Sequence, residues 1–133
     1  MSGPFGAIRT ASTGASMAST WMDVLGHNLA NSNTVTHTDD EPFRAKFMVV
    51  QERAESEGVQ LREVISASGD APLVFDPTHP LADEDGMVQS ALVDTAGTMS
   101  DLIIASRHYQ MNLQVVKTAE ESYQAALQIG RSR

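Results

Sequence analysis

The densest run of chemically capable side chains is Asp76-Pro77-Thr78-His79-Pro80 followed by Asp83-Glu84-Asp85-Gly86. Carboxylates clustered before a glycine can hold a hard cation through oxygen ligands, and Asp76, His79, Asp83 and Asp85 together could serve a divalent-metal protein or a hydrolase. Registering Gly86 on the invariant glycine of a calcium loop puts Asp83 and Asp85 in ligand positions. It leaves Leu81 at the first ligand and Leu92 where the bidentate Glu belongs. With both outermost ligands missing, the run reads as a Pro-bounded acidic surface turn, and no metal or cofactor is expected. The histidines at 27, 37, 79 and 108 are scattered, with no Gly-rich phosphate loop, nucleophile elbow or paired-histidine zinc helix beside them. The absence of cysteine removes disulfides, thiolate nucleophiles and Cys-based metal sites together. No catalytic residue emerges, and the chain reads as something other than an enzyme.

What the chain does must then reside in the elements that carry its apolar side chains. Ile8, Ala11, Ala15, Ala18, Met22, Leu25 and Leu29 follow one another at alternating spacings of three and four, an unbroken heptad seam. This predicts a helix from about Phe5 to Ala30, closed by Asn31-Ser32-Asn33-Thr34, where Asn tolerates a left-handed cap. Local propensity opposes it, because residues 10–20 hold three Thr, three Ser and Gly14, the last costing about 0.5–1 kcal/mol relative to Ala. Such a helix needs neighbours, and its small side chains let them come close.

The C-terminal segment repeats the spacing through Met99, Leu102, Tyr109, Leu113, Val116, Tyr123 and Leu127, interrupted by Ser106 and Glu120. A second stripe of Ile103, Val115, Ala119, Ala126 and Ile129 widens the apolar face beyond what one partner helix covers. Gly130, followed by Arg131 and Arg133, supplies a helix stop and a favourable terminal charge. The tyrosines 109 and 123, two heptads apart on one face, read as core or interface, and the seven methionines as core filling.

Between these segments the period changes. Phe43 to Val50 alternates as a strand, Val59 to Ile65 as a second, and Leu73 to Phe75 as a third, with Pro72, Pro77, Pro80 and Gly86 as turns. The fold class expected is mainly α with a small β-rich insert: long N- and C-terminal helices packed as a coiled-coil-like pair, with short strands between. The parts are residues 1–38, 39–91 and 92–133.

Charge follows the same division. Of the net charge of -8, all the excess lies in residues 39–91, which carry twelve acids and four bases, while the two terminal parts are each balanced. An acidic chain repels phosphate backbones, so nucleic acid is not an expected partner. No window approaches a membrane-spanning length, and the N-terminal residues lack the pattern of a cleaved signal, so neither membrane insertion nor a cleaved leader is expected.

Asn28-Leu29-Ala30-Asn31 and Asn33-Thr34, closing a heptad helix near the N-terminus, resemble the N-terminal motif of the flagellar rod and hook proteins. Further matches are Val74-Phe75-Asp76-Pro77-Thr78-His79-Pro80, Ala82-Asp83-Glu84-Asp85-Gly86, Ala105-Ser106-Arg107 with Tyr109 and Asn112, and Ala126-Leu127-Gln128-Ile129-Gly130-Arg131. Together they resemble the flagellar basal-body rod proteins over nearly the whole chain. The resemblance implies a structural subunit of the proximal rod that crosses the periplasm, without enzymatic activity. It also implies export by the flagellar type III apparatus without a cleaved signal peptide, and polymerisation through terminal helices that form an inner tube around the channel. Its partners would be copies of itself, other rod subunits, the rod-to-ring adaptor and the export apparatus. The seams named above and the motif residues Asn28, Ala30, Asn31, Asn33 and Thr34 are the residues expected to carry assembly. The alternative is a free-standing helical-hairpin binding module, a chaperone or adaptor.

Overall fold

The computed structural model describes residues 4–53 and 58–131. Seven elements follow in order: α1 (Pro4–Ala30), β1 (Val35–Thr36), β2 (Lys46–Glu52), β3 (Val59–Ser66), β4 (Leu73–Phe75), β5 (Met87–Ser90) and α2 (Thr95–Arg131). The architecture is two long terminal helices with a few antiparallel strands between them, as the periodicities indicate.

The helices run antiparallel. Phe5 meets Tyr123 edge to face at 5.5 Å between ring centroids, Gly14 lies against Asn112, and Trp21 faces His108 at 6.5 Å. Among the described residues, seven of the nine buried apolar side chains are alanines, so the core gains its contacts from close backbone approach more than from bulk. That resolves the propensity problem of α1. Ala11, Ala15 and Ala18 are buried, and Gly14 stands where an added Cβ would lie 2.6 Å from the Asn112 amide oxygen.

Helix ends are set by side chains. Asp94 caps α2, its carboxylate accepting the Gly97 N–H at 3.0 Å while its carbonyl accepts the Thr98 N–H and hydroxyl. At the end of α1 the Asn31 amide donates to the His27 carbonyl and the Ser32 hydroxyl to the Leu29 carbonyl, each at 2.8 Å. Among the described residues none but glycine has positive φ, so the left-handed Asn cap expected from the sequence is not used. The terminal carbonyls accept the Asn31 and Ser32 backbone N–H groups as well as these side-chain donors. Nor does α2 stop at Gly130; it continues to Arg131, one glycine being tolerable within a helix.

The strands form two antiparallel groups. One is a three-stranded sheet in the order β1-β5-β4, and the other is the β2–β3 hairpin, which carries an irregularity between Val49 and Val50. β1 lacked a sequence signal because it is two residues long, and β5 because Met87-Val88-Gln89-Ser90 is half polar without alternation, unlike the wholly apolar Leu73-Val74-Phe75 of β4. The segment before β2 ties the parts together. Ala45 donates to the Leu92 carbonyl, Leu92 to the Phe43 carbonyl, and Ala67 to the Ala45 carbonyl.

Candidate assembly surface

The N-terminal seam is consumed within the chain. Ala11, Ala15, Ala18 and Leu25 are buried, and Ile8, Met22 and Leu29 half-buried, against α2 and the hairpin. The C-terminal seam is divided. Leu102, Tyr109 and Val116 are half-buried, whereas Leu113, Tyr123 and Leu127 keep 42–49% of their surface exposed. The line of α2 that faces α1 runs through Thr98, Leu102, Ala105, Tyr109, Asn112, Val116, Ala119 and Tyr123, with Ala105 fully buried. Small and polar residues occupy every second position of that line, so a search for large apolar side chains passes over it.

Among the described residues, two apolar flanks of α2 remain without cover. At 100° per residue, Ile104, Met111 and Val115 fall on one side of the buried line and Met99, Ile103 and Leu113 on the other. All six are exposed, Met111 to 64%. Among the described residues the helix also outruns its partner. Tyr123 packs on Phe5 at the start of α1, and residues 124–131 continue as exposed helix, a projection of about 12 Å. Exposed large apolar side chains gathered along one helix mark an interaction surface, and burying a half-exposed side chain of this size contributes about 1 kcal/mol.

Of the motif residues, Asn28 has the clearest structural task. It is 1% exposed, and its amide pairs with the Lys46 backbone in both directions: the side-chain N–H donates to the Lys46 carbonyl and the Lys46 N–H to the side-chain oxygen, each at 2.8 Å. The side chain acts as one more rung of ladder, fastening the start of β2 to the end of α1. Ala30 is exposed on the last turn of α1, Asn31 caps it, Asn33 is exposed in the following turn, and the Thr34 carbonyl accepts the Ala91 N–H.

The acidic run is spent on its own backbone. One oxygen of Asp83 accepts the N–H groups of Met87 and Asp85 at 2.8 and 3.0 Å, and the other accepts the Thr38 hydroxyl at 2.9 Å. The Met87 N–H above all, then the Thr38 hydroxyl, holds the carboxyl below its ordinary 3.8. Asp76 accepts the Thr78 hydroxyl and N–H, the hydroxyl chiefly lowering its pKa, and His79 Nδ1 accepts the Leu81 N–H. Among the described residues no three His, Asp or Glu side chains converge in a way that could hold a metal ion. His27 packs on Phe43 at 5.5 Å and His108 on Trp21, while His37 Nδ1 lies 3.6 Å from the Asp39 carboxylate. No described helix is long and apolar enough to cross a membrane.

Comparison with known proteins gives this surface its context. Residues 84–129, essentially β5 and α2, match the family described as the C-terminal region of flagellar basal body rod FlgEFG proteins. The flagellar basal-body rod protein FlgC of Salmonella typhimurium is 37% identical over 114 residues, covering 83% of this chain and 85% of the relative. That of Yersinia enterocolitica is 37% identical over 125 residues, covering 91% and 93%. That of Bacillus subtilis is 30% identical over 130 residues, covering 83% and 87%.

Proposed function

Since this chain belongs to the FlgC family of flagellar basal-body rod proteins, we propose that the uncovered flanks of α2 are the surfaces by which it enters the rod. It is a structural subunit and not an enzyme, its place is the flagellar basal body, and it assembles with other rod components. The relatives lend nothing to the alternative of a free-standing adaptor or chaperone.

The finer reading assigns residues 1–38 and 92–133 to an inner tube that forms the wall of an export channel and transmits torque across the periplasm. Residues 39–91 are the outer part. One observation carries it: α1 has spent its seam on α2 and the hairpin, while α2 retains two apolar flanks and a projecting end. Near-neutral terminal parts suit close packing of many copies, since like charges brought together and desolvated are costly. The acidic middle part stays solvated outside. The helix seams and the motif residues serve assembly in this reading, α1 by shaping the pair and α2 by meeting neighbours. Those neighbours include the rod-to-ring adaptor, and the flagellar type III export apparatus delivers the chain.

The test is Met111→Asp combined with Val115→Asp. Both positions are exposed, so the isolated chain should lose only about 1 kcal/mol, the helix-propensity and like-charge cost of two Asp one turn apart, while recovery of the chain in purified hook–basal bodies, and motility, are lost. Normal incorporation of the double variant would sink the flank assignment.

A further inference from the structure

Among the described residues, the β2–β3 hairpin is held by more hydrogen bonds at its base than at its far end. At the base, Asn28 makes its two 2.8 Å bonds to Lys46, and Ala67 donates to the Ala45 carbonyl at 2.7 Å. The Arg44 guanidinium donates to the Gly69 carbonyl at 2.7 Å and reaches the Ala67 carbonyl at 3.4 Å. At the far end, among the described residues, β3 is joined to α1 by a hydrogen bond from the Val59 N–H to the Thr13 hydroxyl, at 3.2 Å. Among the described residues the hairpin backbone between these points approaches α1 and not α2 or the other sheet. Most side chains of β3 are exposed. Along its inner side runs a groove of about 620 Å³ lined by Met17, Trp21, Phe47, Met48, Val50 and Val59 among others.

We infer that the hairpin is a pivoted arm, hinged on the Asn28–Lys46 pairing and latched at its far end by the Thr13 hydroxyl, so that Thr13 is the positioning residue for its angle to the helix pair. The Thr13 hydroxyl is suited to this. It donates to the Thr10 carbonyl at 2.9 Å, which turns its lone pairs outward to receive the Val59 N–H. Gly58 clears the way. Its φ is +117°, and a Cβ there would collide with the same hydroxyl. The irregularity between Val49 and Val50 interrupts the ladder between pivot and latch, where a strand bends most readily. The arm goes beyond the assembly reading; only its consequence rests on that reading, namely that its angle sets how far the hairpin reaches toward a neighbouring subunit.

The test is hydrogen exchange on the purified full chain with Thr13 intact, Thr13→Val and Thr13→Ser. Valine keeps the shape and deletes the hydroxyl, while serine restores it. In Thr13→Val the amides of Val59–Ser66 should exchange roughly five- to tenfold faster, the free-energy equivalent of one hydrogen bond. The Lys46 amide and both helices should keep wild-type rates, and Thr13→Ser should match wild type throughout. Should valine disturb α1, Thr13→Ala removes the same hydroxyl without an added methyl. Unchanged protection of β3 in a hydroxyl-free variant whose helices are intact overturns the latch, as does a failure of serine to restore it. Neither result bears on rod membership, which co-purification with basal bodies tests separately.

Discussion

Asn28 illustrates how a single side chain can do the work of backbone. Buried between α1 and β2, its amide offers one donor and one acceptor and uses both on Lys46. Asn28→Ala strands the part-buried N–H and carbonyl of Lys46, and should lower unfolding stability by about 1–3 kcal/mol in denaturant titration, with the hairpin base losing exchange protection. The sequence motif flagged Asn28 but not its task, because its partner lies eighteen positions away and the contact is made through backbone atoms that carry no residue-specific signal. Asp83 makes the complementary point about charge. Its folded pKa, like that of Asp76, is depressed below 3.8, so the stability it contributes is present above that value and lost as pH falls through the folded pKa. Amide shifts of Asp85 and Met87, followed by NMR on acidification, should therefore move with an apparent pKa below 3.8. In Asp83→Asn, which cannot ionise, that transition should vanish.

At the scale of elements, the helices were legible from period alone, and the hairpin from alternation and Gly58. What was not legible was which stripe of α2 faces α1. Leu113 and Leu127 continue the apparent heptad, yet the neighbouring positions of the covered line include Asn112, which sits over Gly14. The reason is that α1 presents alanine and glycine there, and a partner that approaches so closely has room for small or polar side chains but not for leucine. A double-mutant cycle checks this. Gly14→Ala in the natural chain forces the Asn112 side chain out of its bond to the His108 carbonyl and should be neutral or mildly destabilising. In an Asn112→Ala background the same change should stabilise by about 0.5–1 kcal/mol, the helix propensity gain alone. Equal effects in both backgrounds would remove the close-approach argument.

Across the whole molecule, composition and topology divide labour in the same way. The excess negative charge lies wholly in the stretch that carries β2, β3, β4 and β5, and the terminal helices carry balanced charge with the uncovered apolar flanks. The overall plan was therefore readable from one sequence, while the distinction between apolar surface spent internally and apolar surface left over was not. That distinction depends on the antiparallel alignment of two helices of unequal length, and no periodicity within either helix encodes it. The unequal fastening of the hairpin carries a mechanical meaning as well. A pull along the common axis of α1 and α2 loads their whole seam in shear, so that Ala11, Ala15, Ala18 and Leu25 resist together. A pull on the far end of the hairpin instead peels: the Thr13 bond yields first, then the contacts of the hairpin with α1 in turn until the force reaches Asn28. One short chain is thus stiff along its length and compliant at its side.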